Sequence, residues 1–475
     1  MNCNLLKLAL MGVSIFAMSG CKTGANQSAA SSPAQYAPGR ATVRALNPIV
    51  PPGLYIADPE PRLMPDGRIY VYGSRDVPQY AWCSKAYHVL STDDMVNWNI
   101  EQFSFATDGI GKQADYTTRE LYAPDCIYHD GKYYLYYCLA GGGGNDEGVA
   151  VGNSPYGPFR NGKIIEGANG IDPSVFVDDD GQAYLYWGQG YAKGAKLSSD
   201  MTRIEGAISD SLLTYEEHAF NEASSVRKRG DIYYYIYGGH QRHGESNCAT
   251  LNYATSKSPL GPFTYRGVII DNFNTHAHVV NNHGSIVEVD GNWYIFYHRP
   301  THGTATMRKA CVEPIHFNPD GTIQEVVMTT QGVGGPIDPS MRMDAARACE
   351  LSGNLTVRCR RPADDIPVEY LANIRHGDYA IWRYYDFDKV EALRFMCKTW
   401  GNTLDAEIEI RLDSPQGTLL GTCPISAMQG EVAYEIHSAN VAKAKGVHAL
   451  VLVFKSPSGK TDADLLNLEW LRFSR

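Results

Sequence analysis

Five times along the chain a polar turn is followed by a short run in which tyrosine alternates with aliphatic residues. The copies are Asp66-Gly-Arg-Ile-Tyr-Val-Tyr72, Asp130-Gly-Lys-Tyr-Tyr-Leu-Tyr136, Asp180-Gly-Gln-Ala-Tyr-Leu-Tyr186, Arg229-Gly-Asp-Ile-Tyr-Tyr-Tyr-Ile-Tyr237 and Asp290-Gly-Asn-Trp-Tyr-Ile-Phe-Tyr297. Asp-Gly between apolar segments is a strong hairpin signal, because both residues accept the positive φ of a tight turn. The alternation behind it has the period of a strand. A second phrase follows in four of the units: Ser91-Thr-Asp-Asp-Met-Val-Asn-Trp98, Ser154-Pro-Tyr-Gly-Pro-Phe159, Ser198-Ser-Asp-Met201 and Ser256-Lys-Ser-Pro-Leu-Gly-Pro-Phe263. Its prolines suit blade ends and outer strands, where a missing N–H costs little.

Successive turns lie 50 to 64 residues apart, the length of one four-stranded antiparallel sheet with its loops. The pattern therefore predicts an all-β chain whose residues 48–335 form a five-bladed β-propeller. After Gly332-Val-Gly-Gly-Pro336 the repeat stops. Residues 340–475 read as alternating strands at 379–386, 392–397, 406–412, 446–454 and 466–473, the spacing of a β-sandwich.

The N-terminus breaks the pattern. Lys7 precedes an apolar run, Leu8 to Met18, which is too short to span a bilayer and has the length of a signal-peptide core. Ser19 and Gly20 then lead into Cys21, an arrangement that resembles a bacterial lipobox. Residues 1–20 are expected to be a lipoprotein signal peptide. Residues 21–47, rich in Ala, Ser, Gly, Pro and Gln, are expected to be a flexible tether. A lipid on Cys21 would be the chain's one link to a membrane and would place it on the bacterial cell envelope, at the periplasmic face or the cell surface. Of the 11 cysteines, removal of Cys3 and lipidation of Cys21 leave nine, an odd number whose spacing identifies no pair. The formal net charge of −10 argues against nucleic acid as the main ligand.

Candidate chemistry comes from the repeat itself. Eight residues before the turns at 66, 130, 180, about 230 and 290 stand Asp58, Tyr122, Asp172, Glu222 and Asn282, the last followed by His283. If the strand leading into each hairpin is innermost in its blade, its start rims the central channel, and three acids face one another there. Unpaired carboxylates in proximity repel, and burial raises the cost. Glycoside hydrolysis is the chemistry that uses such a set. One carboxylic acid protonates the leaving oxygen, a carboxylate activates water, and a neighbouring carboxylate raises the acid's pKa.

These residues resemble glycoside hydrolase family 43, in the five-bladed propeller clan that it shares with family 62. The matching motifs are Asn47-Pro-Ile-Val50 with Ala57-Asp58-Pro59, Ala123-Pro-Asp125, Ile171-Asp172-Pro173-Ser174, Asn221-Glu222-Ala223, and His283 ahead of Trp293-Tyr-Ile-Phe-Tyr-His298. The resemblance implies Asp58 as general base, Glu222 as general acid and Asp172 as modulator of the acid's pKa. It implies inversion, with base and acid carboxyls roughly 6.5–9.5 Å apart. It implies substrate contacts from Arg308, in Met307-Arg308-Lys309, from His283 and from Tyr122. It requires no cofactor and leaves room for a structural calcium near His283. Two departures stand out: Ala-Ser-Ser follows Glu222 where the family usually has Gly or Pro, and Leu121-Tyr122-Ala-Pro replaces Trp-Ala-Pro. His240, His243, His276 and His278 lack a zinc spacing and read as substrate-contacting or plain loop residues.

The last segment resembles family 6 carbohydrate-binding modules through Ile408-Glu-Ile-Arg-Leu-Asp-Ser-Pro415, Leu450-Val-Leu-Val-Phe454 and Asn467-Leu-Glu-Trp470. Asn467 matches the ligand-bonding Asn. The usual stacking Trp is replaced by Gly430-Glu-Val-Ala-Tyr434, which leaves Tyr379, Trp382 and Tyr434 as candidate platforms. The expected activity is exo-acting hydrolysis of plant polysaccharide side chains or ends, foremost by an α-L-arabinofuranosidase. β-Xylosidase or exo-β-galactosidase/galactanase activity is the alternative within the class. A non-catalytic glycan-binding surface lipoprotein is the alternative outside it. The partner in every case is an oligosaccharide or polysaccharide.

Overall fold

The structure is a computed structural model. It describes the backbone of 43–44 and residues 46–475, except 142–144, 241–248, 276–280, 363–365, 403 and 429–433. The expected signal peptide, Cys21, His243, His276 and His278 lie outside the described residues. The only α-helix among those described is the single turn α1 (Tyr215–His218).

Nineteen strands up to residue 315, with a short flanking strand before them, form five consecutive antiparallel sheets. The first contains β1 (Val43–Arg44), β2 (Ile56–Leu63), β3 (Ile69–Arg75), β4 (Ala86–Thr92) and β5 (Asn97–Ala106). The second contains β6 (Leu121–His129), β7 (Lys132–Leu139), β8 (Asp146–Gly152) and β9 (Arg160–Asn169). The third contains β10 (Ser174–Val177), β11 (Ala183–Trp187), β12 (Tyr191–Leu197) and β13 (Ile204–Thr214). The fourth contains β14 (Phe220–Arg229), β15 (Ile232–Gly239), β16 (Thr250–Ser256) and β17 (Thr264–Asp271). The fifth contains β18 (Gly284–Val289), β19 (Asn292–Pro300) and β20 (Arg308–Ile315). Each recurring turn joins the first two strands of its sheet. The first strands contact one another in the order β2, β6, β10, β14, β18, and β18 returns to β2.

The alternation of the repeat has a direct reading in three dimensions. Successive side chains of a strand point to opposite faces. Tyr70 and Tyr72 of β3 therefore pack toward the second sheet, and Ile69 and Val71 toward the fifth. The same holds around the molecule, so five apolar clusters fill the five gaps between neighbouring sheets. Both faces of each middle strand are buried, which is why its alternation is aromatic with aliphatic rather than apolar with polar.

A buried tyrosine still needs a partner for its hydroxyl. Tyr72 donates to Pro155 O, Tyr136 to Met201 O at 2.8 Å, and Tyr186 to Pro259 O at 2.8 Å. Each acceptor belongs to the serine-led turn between the third and fourth strands of the next sheet. The two recurring phrases are thus the two ends of one repeated inter-sheet hydrogen bond.

The fifth sheet has three strands, and the N-terminal segment completes it. Ile49 N–H donates to Ala310 O at 2.9 Å, Val312 N–H donates to Asn47 Oδ1 at 2.9 Å, and Asn47 Nδ2 donates to Val312 O at 3.0 Å. Ile49 and Val50 join the apolar cluster between the first and fifth sheets.

Beyond residue 340 the chain forms a β-sandwich. Its strands are β21 (Met343–Asp344), β22 (Glu350–Leu351), β23 (Thr356–Arg360), β24 (Val368–Ala372), β25 (Tyr379–Asp386), β26 (Arg394–Trp400), β27 (Ala406–Leu412), β28 (Leu419–Ile425), β29 (Tyr434–Asn440), β30 (Val447–Lys455) and β31 (Asn467–Ser474). One sheet runs β23-β24-β31-β26-β29, with β21 beside β31, and the other runs β22-β25-β30-β27-β28. A core including Trp382, Ile408, Leu450 and Phe473 lies between them. The sequence pattern anticipates five of these strands. It misses β21, β22, β23, β24, β28 and β29: β21 and β22 have two residues each, and exposed or half-buried positions dilute the alternation in β23, β28 and β29.

Candidate active site

Asp58 lies near the start of β2, Glu222 near the start of β14, and Asp172 two residues ahead of β10. The backbone is irregular at all three. The β2–β3 register shifts between Ala57 and Glu60, and the β14–β15 register shifts on both sides of Glu222. Such bulges bend a strand and re-aim a side chain. Asp58 and Asp172 adopt left-handed φ values of 52° and 60°, which aspartate tolerates better than most residues. Ala223, next to Glu222, is held at φ 67°. Glycine would take that conformation freely. Here Ala223 N–H donates to Asp172 Oδ2 at 2.9 Å. The strained residue therefore ties one carboxylate to the neighbour of another.

Asp58 is surrounded by donors. Arg308 Nη1 reaches its Oδ1 at 2.7 Å, and Ser74 Oγ donates to its Oδ2 at 2.6 Å. The Asp58 N–H donates to His298 Nδ1 at 3.2 Å, which places that ring 3.3 Å from Oδ1, and His283 Nδ1 stands 3.5 Å from Oδ1. Burial pushes the Asp58 carboxyl up, but Arg308 and the two histidines outweigh it, and the net pKa falls well below the usual carboxylate range. Arg308 is itself held by further partners. Its Nε and Nη2 bind Asp76 at 3.0 and 2.7 Å, Nη2 also donates to Trp82 O at 2.9 Å, and its guanidinium lies 5.1 Å from the Trp82 ring centroid. Asp76, with one cation shared between two acids, is pushed up to about 6 by burial, with Asp58 adding to the rise and Arg308 opposing it.

The opposite wall has carboxyls without a cation of their own. Burial pushes the Asp172 carboxyl well above the ordinary range, and Glu222 and Asp58 raise it further. Glu222 also rises, first through burial and then through Asp58. A hydrogen bond from Gln189 Nε2 to its Oε2, 2.8 Å long, opposes the rise, as do the Arg308 charge and a bond to Asn281. Glu222 stays partly open to solvent although protein surrounds it.

Between the walls stands His283, whose Nδ1 is 3.7 Å from Asp172 Oδ2 and 3.5 Å from Asp58 Oδ1. Burial pushes its pKa down to about 4, and that of His298 also falls. Both imidazoles are neutral near pH 7. The set can therefore present one ionised carboxylate and a pair of carboxyls that retain a proton.

The structure brings together Asp58, Asp172, Glu222, Arg308 and His283. Tyr122, half-buried at the start of β6, lies within reach of the Arg308 charge. His240 Nε2 contacts Asn221 Oδ1 at 2.8 Å, beside Glu222. Sequence reasoning missed Asp76, Ser74, His298, Gln189, Asn281 and Trp82. Ser74 lies near the end of the first tyrosine-rich strand with Asp76 just beyond it, and His298 lies near the end of the corresponding strand of the fifth copy, but nothing local marks them. Asn467 lies in the second domain, where its Nδ2 donates to Trp400 O at 3.3 Å. Tyr434 is 44% exposed beside Trp400. Trp382 corrects an expectation: fully buried between the two sheets, it offers no stacking surface.

No group of three or more His, Cys, Asp or Glu among the described residues is arranged to hold a metal. Calcium favours oxygen ligands. Near His283 the relevant observation is Asn282, whose Oδ1 and Nδ2 are both buried without a hydrogen-bond partner. Those orphaned atoms fit a polar occupant in the channel.

Comparison with known proteins carries the chemistry further. The family model for "Glycosyl hydrolases family 43" matches residues 46–323, and that for "Carbohydrate binding module (family 6)" matches residues 345–475. A xylosidase/arabinosidase of Thermoclostridium stercorarium is 30% identical over 86% of this chain and 96% of its own. An arabinoxylan arabinofuranohydrolase of Bacillus subtilis is 29% identical over 86% of this chain and 89% of its own. The crystal structure of a Bacillus subtilis family 43 arabinoxylan arabinofuranohydrolase with cellotetraose superposes with a TM-score of 0.52 at 28% identity, covering 90% of this chain and 97% of that one. A family 43 β-xylosidase/α-arabinofuranosidase from a compost metagenome, in a calcium-free form with xylotriose, gives 0.52 at 29% identity over 60% of this chain and 98% of that one. Family-model match, full-length similarity and shared fold agree: the chain belongs to glycosyl hydrolase family 43 and is a glycoside hydrolase carrying a second domain of the family 6 carbohydrate-binding type.

Proposed function

We propose that the protein is an inverting, exo-acting α-L-arabinofuranosidase that removes arabinofuranose from plant polysaccharide such as arabinoxylan. Two of the relatives that cover both domains bear the name arabinoxylan arabinofuranohydrolase. The observation that carries the mechanism is the contrast between Asp58, ion-paired to Arg308 and held ionised, and Glu222, whose carboxyl is raised. Asp58 takes a proton from water as that water attacks the anomeric carbon. Glu222 gives its proton to the departing oxygen, and Asp172, itself held by the Ala223 N–H, keeps a proton within the pair because two neighbouring buried carboxyls do not both ionise. Arg308 Nη1 retains a second N–H beyond its bond to Asp58, and Trp82, 39% exposed, presents a ring next to it. These, with Tyr122 and His283, are the proposed sugar contacts.

In this reading residues 48–335 are a five-bladed β-propeller with the site at the entrance of its channel, and residues 340–475 are the sandwich module. Support comes from the five successive sheets and from the contact of the last with the first. Calcium would lie near His283 with Asn282 Oδ1 as an oxygen ligand, where its charge would steady the nearby carboxylates. A melting temperature unmoved by chelation and re-addition of calcium would remove it. Residues 1–20 would be cleaved and Cys21 lipidated, anchoring a tether of residues 21–47 to the cell envelope. Failure of the chain to incorporate labelled fatty acid, with Cys21→Ala as control, would remove that anchor.

Turnover of a panel of p-nitrophenyl glycosides, with the anomer of the product read by NMR, tests the activity. Release of arabinose with inverted configuration is expected. Absence of arabinofuranoside turnover, or retention, overturns the proposal. β-Xylosidase activity is the second reading, favoured by relatives named for both activities, and faster turnover of the xylopyranoside would select it.

A further inference from the structure

Glu369, on β24 of the sandwich, reaches into the catalytic domain and is almost fully buried there. Lys309 Nζ lies 2.6 Å from each of its oxygens. Gly53 N–H donates to Oε1 at 3.1 Å, Tyr55 Oη to the same oxygen at 3.5 Å, and His302 Nε2 stands 3.9 Å away. The Lys309 ammonium is also 5.3 Å from the Tyr55 ring centroid and donates to Pro51 O at 3.3 Å.

The placement of these partners matters. Lys309 follows Arg308 on β20, and side chains at consecutive strand positions point to opposite faces. Arg308 thus faces Asp58 and Asp76 while Lys309 faces Glu369. Gly53 and Tyr55 immediately precede β2, the strand of Asp58, and Tyr55 O accepts the N–H of Asp76 at 3.1 Å. One carboxylate from the second domain therefore holds both strands whose side chains form the Asp58–Arg308 pair. The same seam is where the N-terminal segment completes the fifth sheet, and the sandwich grips it elsewhere too. Arg347 Nη1 donates to Leu46 O at 2.8 Å and Pro48 O at 2.9 Å, and Arg383 O accepts from Thr330 and Gln331 N–H at 2.8 Å each. Pro367 packs so closely on Gly53 that a Cβ there would lie 2.9 Å from its Cγ.

We propose that Glu369 is a positioning residue for the Asp58–Arg308 pair, and that the sandwich is therefore a working part of the catalytic unit as well as a carbohydrate-binding type of domain. A buried ion pair broken on one side leaves an uncompensated charge. Loss of the Glu369 charge forces Lys309 to move or to shed its proton, and displacement travels along β20 to Arg308. Asp58 then loses part of what holds it ionised. The charged and titratable groups facing Asp58 are Arg308, Asp76, His298, His283, Asp172, Glu222 and Cys83. Those facing the Glu369–Lys309 pair are His302, Tyr55, Arg347 and Cys359. Of all these, only Arg308 is the direct neighbour of a Glu369 partner along one strand.

The test is Glu369→Gln in the full chain. The kinetic part rests on Asp58 being the base. The expected result is a fall of about tenfold in kcat/KM with its acidic limb moved to higher pH, because a less firmly paired base protonates sooner. The double variant Lys309→Met with Glu369→Leu removes both charges and keeps the space filled, so it folds even if the single variant does not. It is expected to show the same displaced limb. An acidic limb at the wild-type position in the folded variants overturns the proposal, since lower stability alone leaves that limb in place. Hydrogen exchange gives a readout independent of catalysis. Peptides spanning Tyr55–Asp58 and Arg308–Ala310 should exchange faster in either variant. Unchanged exchange overturns the latch even in an active enzyme, whereas faster exchange with a displaced turnover profile that does not track Asp58 points to an error in the assigned base.

Discussion

The two walls of the active site carry the same kind of side chain in different company. On the wall built from β2, β3, β19 and β20, Asp58 meets a guanidinium, a hydroxyl and the His298 imidazole, with His283 between the walls. On the wall built around β10 and β14, Asp172 and Glu222 receive a backbone N–H and a glutamine amide, and otherwise repel each other. Burial is common to both walls and raises every carboxyl. What differs most is the cation: Arg308 is the largest influence driving Asp58 down, with the two histidines adding to it, while the others go up. In the proposed mechanism the fold derives a base and an acid from one functional group by supplying one wall with an arginine and withholding it from the other.

The largest effect should come from removing the two carboxyls separately. Asp58→Asn is expected to lower kcat by about a thousandfold or more on every substrate, because no other group activates water. Glu222→Gln should match that loss on natural glycosides yet fall by far less on p-nitrophenyl arabinofuranoside, whose leaving group departs without a proton. Single-turnover rates on both substrate types measure this. Equal losses for both variants on both substrates would erase the functional distinction between the walls.

A medium effect is expected from Arg308→Lys. A single ammonium lacks the fork that serves Asp58 and Asp76 together. The Asp58 carboxyl then climbs toward its ordinary range. A base whose pKa rises is protonated at higher pH, so the acidic limb of kcat/KM moves upward, by about one pH unit for a weakened nearby charge. The alkaline limb, set by Glu222 with Asp172, should move less. Movement of the alkaline limb alone would reverse the assignment of the two walls.

The smallest effect concerns the backbone beside the acid. Ala223→Gly relieves a left-handed alanine, a strain of about 1 kcal/mol, and adds unfolded-state entropy of similar size. Thermal unfolding should change by only a few degrees, and activity on natural substrate should drop modestly as the Ala223–Asp172 bond loosens. Ala223→Val, by contrast, should fail to reach the wild-type melting temperature by a wide margin, because a branched residue resists positive φ.

The sequence was most informative where the structure repeats. Four Asp-Gly turns and one Arg-Gly turn fall on the first hairpin of five sheets, and counting about eight residues back from them locates Asp58, Asp172 and Glu222 at or just ahead of the strand that enters each hairpin. That count works because strands have a fixed rise per residue and the sheets are copies of one another. The sandwich was less legible: β23 and β29 carry too few buried positions to alternate clearly, and Trp382 reads as a platform in sequence while lying in the core.

Sequence by itself determined the all-β class, the five-unit organisation and the identity of the three carboxyls, because each is written in local pattern and spacing. Tertiary structure decided what those carboxyls are chemically. Arg308 is 250 residues from Asp58, Asp76 stands 232 residues from Arg308, and Glu369 is 60 residues beyond Lys309. A carboxyl's proton affinity is set by the charges and donors within a few ångströms of it. Those neighbours are assembled only when the last sheet closes against the first and the second domain seals the seam.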